Sequence, residues 1–99
     1  MIDWTLIAGF DWDQGNARKH DKHGVSMAEA EQVFFNQPLL LLADLKHSQS
    51  ESRLYALGKS DGGRLLQVTF ILRGRGSLMR VISVRDMHRP ERTIYEQTP

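Results

Sequence analysis

Two consecutive segments rich in β-branched and apolar residues, separated by a glycine-containing turn, constrain the fold of this chain more than any other feature. They run over residues 65–72 and 78–84, and a Gly-Arg-Gly-Ser turn at residues 74–77 joins them. Val, Ile, Thr and Phe favour strands, and glycine at a short connection favours a tight hairpin. A Ser-Asp-Gly-Gly turn at residues 60–63 joins the first segment to another predicted strand at residues 53–58. The sequence therefore predicts an antiparallel meander.

The flanking segments add helices and further strands to this meander. Short apolar stretches at residues 7–12 and 39–42 predict strands. The Ser26-x-x-Glu29 spacing is that of a capping box and predicts a helix from Met27 that ends at Pro38. Two more helices are predicted, one over residues 14–22 capped by Asp13, and one over residues 90–97 with Pro90 in its first turn. The expected fold is one α+β domain over residues 1–99, in which an antiparallel sheet of about four to five strands packs with two N-terminal helices and one C-terminal helix.

The alternation of side chains along the two central strands predicts which residues share a face. Leu66, Val68, Phe70 and Leu72 should face the core, so Gln67, Thr69, Ile71 and Arg73 should face the other way. In the next strand, Ser83 and Arg85 fall on this second face with Arg73. Arg80 is in register with the apolar positions, so it should lie on the opposite face unless a bulge shifts it. This pattern predicts that Arg73 and Arg85 converge, and it ranks both above Arg80 as functional residues.

Composition narrows the class of function. The chain has no cysteine and a net charge of +1, but residues 64–99 hold seven arginines, no lysine and three acidic residues, a balance of +4. Arginine binds phosphate with a planar fork of donors, although a basic strand face can also be merely solvated. No apolar run reaches the ~18 residues of a membrane span, and the first nine residues lack the basic cluster of a secretory signal. We therefore expect a cytoplasmic protein.

Acid–base side chains accompany these arginines. They are His23, His47, Glu51 and His88, and no metal-ligand spacing or glycine-rich phosphate loop is recognisable. Metal-free cleavage of RNA needs a base for the 2′-hydroxyl, an acid for the leaving 5′-oxygen and cations for the developing charge. The residue types fit this chemistry without requiring it.

Five motifs, in order along the chain, resemble those of the BrnT toxins. They are Phe10-Asp11-Trp12-Asp13; Lys22-His23-Gly24-Val25-Ser26; Glu29-Ala30 with Val33-Phe34 and Pro38-Leu39; Glu51-Ser52-Arg53 with Leu57-Gly58; and Arg80-Val81-Ile82-Ser83-Val84-Arg85 with Glu91 and Tyr95. Two features depart from the family pattern. Nine residues of unknown role precede Phe10, and His88 stands where the family usually has Ser or Thr before the last helix.

The resemblance implies a RelE-like α+β fold and a ribonuclease toxin that needs no metal or other cofactor, and that inhibits translation and growth. It also implies a BrnA-like ribbon-helix-helix antitoxin, through which alone the toxin would contact operator DNA. The candidate catalytic residues are then Lys22, His23, Glu51, Arg53, Arg73 and Arg85, and the candidate RNA-binding residues are Arg80, Ser83 and His88.

Each of these residues also has a structural interpretation. Lys22 and His23 can offset a helix dipole, Glu51 can pair with Arg53, and the remaining arginines can be exposed strand charges. A non-catalytic nucleic-acid-binding or interaction module that uses the same arginines is the alternative function.

Overall fold

The chain folds around a five-stranded sheet, described here by a computed structural model for residues 7–13, 24–44, 46, 52–74 and 76–99. The elements in chain order are β1 (Gly9–Phe10), α1 (Met27–Gln32), a 3₁₀ turn (Val33–Phe35), β2 (Leu40–Ala43), β3 (Leu54–Lys59), β4 (Leu65–Arg73), β5 (Leu78–Asp86) and α2 (Arg89–Glu96). The strand order across the sheet is β1-β5-β4-β3-β2. The α+β class, the meander and the C-terminal helix are as predicted, and the predicted helix over residues 14–22 lies outside the described residues.

The sheet is mixed, so the prediction of a purely antiparallel sheet is wrong. β2 to β5 pair antiparallel, but β1 runs parallel to β5, with Gly9 opposite Leu78 and Phe10 opposite Met79. The ring of Phe10 lies 5.8 Å from that of Phe34, so this edge position lets Phe10 pack against the core. Alternation identifies a strand, but it does not specify the edge on which that strand pairs.

Helix α1 begins where the capping box predicts. The hydroxyl of Ser26 accepts a hydrogen bond from the backbone of Glu29 at 3.1 Å, and the Glu29 carboxylate accepts one from the Ser26 backbone at 3.2 Å. The helix ends earlier than predicted, because a 3₁₀ turn replaces its last part before Asn36 becomes extended. Among the described residues, no helix is long and apolar enough to cross a membrane.

The sheet carries a hydrophobic cluster on each face. One cluster lies under α1 and consists of Val25, Ala30, Val33, Ala56, Leu66, Val68, Phe70, Met79, Val81 and Val84. The other lies under α2, where Leu57, Met87 and Tyr95 pack with Leu40, Leu42, Tyr55 and Leu65. The hydroxyl of Tyr95 donates a 2.7 Å hydrogen bond to the Pro38 carbonyl, and burial raises the pKa of this hydroxyl. Helix α2 therefore packs over the β2–β3 side of its face and reaches the start of β4 at Leu65.

A β-bulge in β5 changes the side on which Arg80 lies. Thr69 is opposite Ser83 but Phe70 is opposite Val81, so Ile82 is an extra residue without a partner in β4. Beyond this bulge the alternation is inverted. Met79 and Val81 are 0% and 1% exposed in the α1-side core, and Arg80 lies on the other face with Ser83 and Arg85. The sequence placed Arg80 on the face opposite Arg85 unless a bulge shifted it; the bulge at Ile82 does so, and Arg80 shares the face of Arg85.

The contact between β3 and the 3₁₀ turn yields a prediction about stability. A Cβ atom on Gly58 would lie 2.7 Å from Cγ1 of Val33 and 3.2 Å from its carbonyl oxygen, whereas one on Gly62 would meet nothing closer than 3.9 Å. We expect Gly58→Ala to lower the free energy of unfolding by about 1–3 kcal/mol through overpacking. Gly62→Ala is the matched control and should leave it unchanged or slightly raised. Urea unfolding measures the free energy of unfolding of both variants. Equal values for Gly58→Ala and Gly62→Ala would contradict the close contact between Gly58 and Val33.

Candidate functional site

The sheet face opposite α1 carries most of the polar side chains of β4 and β5. We call it the arginine face, and its described members include Gln67, Thr69, Ile71, Arg73, Leu78, Arg80, Ser83 and Arg85. Its β2–β3 side is covered by α2. The part away from α2 carries cationic and hydroxyl groups around the buried side chains of Gln67, Thr69 and Ile71.

Three of the sequence-predicted arginines surround Ile71 on this face. Arg80 is opposite Ile71 in β5, and Arg73 follows two residues later in β4. Arg53 directly precedes Leu54, which is opposite Phe70, so alternation places Arg53 beside Ile71 from the other side. The hydrogen bond from the Asp44 backbone to the Arg53 carbonyl, 2.8 Å, extends the β2–β3 pairing to this residue.

These three residues, Arg53, Arg73 and Arg80, form what we call the arginine triangle. Diagonal neighbours on adjacent strands lie about 7–8 Å apart, and residues two strands apart lie about 10 Å apart. Ile71, the side chain that the three residues surround, is only 5% exposed. The register of the strands therefore brings three arginines to one position on this face.

Arg73 and Arg85 do not converge, contrary to the sequence prediction. Arg73 is opposite Leu78 at the hairpin, whereas Arg85 is opposite Gln67 near the other end of the strand pair. Six residues along a strand span about 20 Å, which is too far for both side chains to bind one phosphate. The reason for ranking Arg85 above Arg80 is therefore lost, and the role of each stays a prediction.

The guanidinium of Arg80 is held by carboxylates that follow β1. Nη1 and Nη2 lie 2.8 and 3.1 Å from the two carboxylate oxygens of Asp13, and Nη1 lies 3.5 Å from Asp11. Hydrogen bonding to Asp13 raises the pKa of Arg80, so the side chain stays charged. The side chain of Arg80 is only 16% exposed. Sequence reasoning did not single out Asp11 and Asp13 as site residues, although their i, i+2 spacing after a strand places both on one face.

Arg85 is bound to the start of α2. Its Nη1 and Nη2 donate to the two carboxylate oxygens of Glu91 at 2.7 and 2.9 Å, and Nη1 also donates to the Asp86 carbonyl at 3.1 Å. Glu91 in turn accepts a 2.8 Å hydrogen bond from the backbone of His88, which is the N-cap residue of α2. Burial alone would raise the pKa of Glu91, but the hydrogen bonds from Arg85 and His88 outweigh it and hold the pKa below its usual range.

Hydroxyl groups lie between these two arginine positions. Ser83 is half-buried and opposite Thr69, which is itself opposite Tyr55. The side chains of Gln67 and Thr69 are buried and hydrogen-bonded to each other at 3.2 Å. Ser83 thus lies beside the arginine triangle, on the same face of the sheet as Arg80.

The remaining predicted residues divide into two groups. Lys22, His23 and Glu51 lie outside the described residues. His88 is exposed at the start of α2, at the same end of β5 as Arg85. Within the described ranges, no group of three or more His, Asp or Glu side chains is placed to hold a metal ion.

Arg64 shows what a structural arginine looks like in this fold. Its Nε and Nη2 donate to Asp86 at 2.7 and 3.0 Å, and its Nη1 donates to the Gly24 carbonyl at 2.9 Å. These bonds join the start of β4 to the end of β5 and to the segment that precedes α1. Arg64 thus stabilises the fold away from the arginine triangle.

Comparison with known proteins gives one family. A family model described as a ribonuclease toxin, BrnT, of type II toxin–antitoxin systems matches residues 12–91. No curated protein gives a significant match. The matched range includes the arginine triangle, Ser83, Arg85 and His88, and it starts after Phe10 and Asp11, which the sequence motifs had included.

The pair formed by Arg85 and Glu91 makes folding stability depend on pH. Because the folded-state pKa of Glu91 is lowered, its ionised form stabilises the fold above the unfolded carboxyl pKa of about 4.3, and this contribution disappears as pH falls through the folded-state value. We expect Glu91→Gln to cost about 1.5–3 kcal/mol of unfolding free energy at pH 7 and to lose most of that difference in acid.

The matched control for this prediction is Glu96→Gln. This substitution removes the same charge, and Glu96 is exposed at the other end of α2. Chemical denaturation from pH 3 to 7 measures both variants. If the free energy of unfolding changed with pH in the same way for Glu91→Gln and Glu96→Gln, the pairing of Arg85 with Glu91 would be contradicted.

Proposed function

This chain belongs to the BrnT family, the ribonuclease toxins of type II toxin–antitoxin systems, and from that premise we propose that it cleaves RNA on its arginine face without a metal ion. The observation that carries this proposal is the arginine triangle. Arg53, Arg73 and Arg80 lie on three sides of the buried Ile71, on the sheet face opposite α1. Fixed cations of this kind stabilise the charge that develops on a phosphate during cleavage.

The proposed reaction is an internal transesterification. A general base removes the proton of the 2′-hydroxyl, the 2′-oxygen attacks the adjacent phosphorus, and the bond from phosphorus to the 5′-oxygen breaks as a general acid protonates that oxygen. The products are a 2′,3′-cyclic phosphate and a 5′-hydroxyl. The arginine triangle binds the phosphate oxygens, and the hydroxyl of Ser83 supports it with a hydrogen bond.

Acid–base roles are assigned from the sequence. His23 is the proposed acid or base, Glu51 is its partner in proton transfer, and Lys22 binds phosphate. Glu91 is poorly suited to such a role, because both of its carboxylate oxygens accept hydrogen bonds from Arg85. Arg85 and His88, at the far end of β5, would contact a different nucleotide of the same strand.

A toxin of a type II system has a protein antitoxin, and we propose a BrnA-like partner with a ribbon-helix-helix domain. An acidic or apolar segment of that partner would cover the arginine face and compete with RNA, and operator DNA would be bound only by the complex. Free toxin in the cytoplasm would then cut RNA and stop translation and growth. The finer fold proposal, a RelE-like arrangement, is consistent with an antiparallel core of four strands flanked by helices.

The experiment that tests this function is cleavage of a defined RNA by the purified chain in excess EDTA. We expect fragments that end in a 2′,3′-cyclic phosphate, identified by mass spectrometry, because the proposed chemistry uses only side chains. Activity that is lost on chelation and restored by a divalent ion would contradict the mechanism. RNA binding without cleavage would favour the non-catalytic nucleic-acid-binding alternative.

The same assay with antitoxin tests neutralisation. A stoichiometric partner should stop cleavage, and high salt should slow the encounter, since attraction between an acidic segment and a basic face is screened. Unchanged cleavage by the saturated complex would exclude occlusion of the arginine face.

Because of the bulge, we expect replacement of Arg80 to reduce cleavage more than replacement of Arg85, the reverse of what alternation alone predicts. We expect Arg80→Ala to reduce cleavage by about 100- to 1,000-fold, as is typical when a donor to transition-state charge is removed. Arg85→Ala should instead lower the melting temperature, because it leaves Glu91 without its partner. Arg92→Ala, an exposed change on α2, is the charge-matched control. If Arg85→Ala were fully folded and lost more cleavage activity than Arg80→Ala, this prediction would be contradicted.

A further inference from the structure

We propose that Asp13, with Asp11, is a positioning pair that fixes the guanidinium of Arg80 and presents its Nε edge to an RNA phosphate. The proposal rests on the proposed function and adds to it residues outside the candidate set. Neither aspartate would touch the reacting atoms, and both would act through Arg80.

The hydrogen bonds of Arg80 support this role. A guanidinium has two edges that can bind an anion with a pair of donors, one formed by Nη1 and Nη2 and the other by Nε and Nη2. Asp13 occupies the first edge, with Nη distances of 2.8 and 3.1 Å, and Asp11 lies 3.5 Å from Nη1. Among the described contacts, none uses the Nε edge of Arg80, which leaves one bidentate fork for phosphate.

Arg64 provides the contrast within the same chain. Its Nε edge binds Asp86 through Nε and Nη2, and its Nη1 donates to the Gly24 carbonyl. A carboxylate can therefore take either edge of an arginine in this fold. The edge used at Arg64 joins structural elements, whereas the edge used at Arg80 keeps a phosphate-binding fork open.

The backbone explains why the aspartates meet Arg80. Phe10 is opposite Met79 on the core face, so the next residues, Asp11 and Arg80, both lie on the arginine face. Trp12 turns the other way, and its Nε1 donates a 2.7 Å hydrogen bond to the Glu31 carboxylate. The segment that carries both aspartates is thus fixed to α1 as well as to β5.

The sign of the charge effect makes the proposal testable. Replacing an aspartate by asparagine raises the net charge, which by long-range attraction alone should tighten RNA binding. If the aspartate instead positions the guanidinium of Arg80, the same replacement should weaken RNA binding. If the carboxylates instead merely occupied the place of a phosphate, their removal would tighten binding.

The experiment compares Asp13→Asn with Asp61→Asn, which makes the same charge change at an exposed turn. Binding is measured with a 2′-O-methyl RNA oligonucleotide that cannot be cleaved, and kcat and KM with the unmodified RNA. We expect Asp13→Asn to weaken oligonucleotide binding and to lower kcat/KM by about 10- to 100-fold, as for a misplaced catalytic group. Asp61→Asn should bind as well as the wild type or slightly more tightly, and Asp13→Glu should recover most of the activity.

Oligonucleotide binding by Asp13→Asn that equals or exceeds that of Asp61→Asn would overturn the proposal, even if the wild type is an active ribonuclease. Absence of cleavage by the wild type would instead contradict the proposed function, and binding of the oligonucleotide would still decide the role of Asp13. If Asp13→Asn does not fold, Asp11→Asn is tested with the same expected sign, and tighter binding by it would likewise overturn the proposal.

Discussion

The unpaired residue in β5 determines how the two faces of the sheet are used. β4 is buried on both sides along most of its length. Each residue of the neighbouring β5 therefore faces either the α1-side core or the arginine face. The pairs Val68–Val84 and Phe70–Val81 both belong to the α1-side core, and they can do so only because Ile82 is left without a partner between them. Without the bulge, Val81 and Met79 would turn toward the polar face and Arg80 would enter the hydrophobic core. The bulge therefore secures the core and the arginine triangle together.

Much of this arrangement could be predicted from the sequence, because local signals determine it. The hairpin turns, the capping box at Ser26 and the strand composition fixed the type and approximate bounds of most elements. The bulge was harder to predict, because alternation has a period of two and one inserted residue inverts everything beyond it. The adjacent apolar pair Val81-Ile82 was the available signal, since a regular half-buried strand would have one polar residue there. The parallel pairing of β1 left no local signal, because it depends on the packing of Phe10 against residues distant in sequence.

Arginines that look equivalent in the sequence have different roles in the structure, according to which carboxylate each one meets. Arg64 and Arg85 each join two elements, Arg64 through Asp86 and Arg85 through Glu91. Arg80 is also paired, but its partners follow the edge strand and leave one fork of donors unused among the described contacts. The positive balance of residues 64–99 therefore overstates the charge that is available to a ligand. Charge counting treats these arginines alike, whereas their carboxylate partners distinguish Arg64, Arg80 and Arg85 from one another.

A sheet is well suited to hold the cations of the metal-free site that we propose, because electrostatic stabilisation requires donors that do not have to move as charge develops. Arg53, Arg73 and Arg80 come from three strands of the sheet or from residues directly beside them, so paired backbones set their separation before any ligand binds. The long side chains themselves still have to be ordered when an anion binds, at a cost in conformational entropy, unless another group already holds them. By charge alone, carboxylates next to such a site oppose RNA binding. In the positioning role that we propose they favour it, because a side chain already held by a carboxylate loses little further freedom when a phosphate binds its other edge.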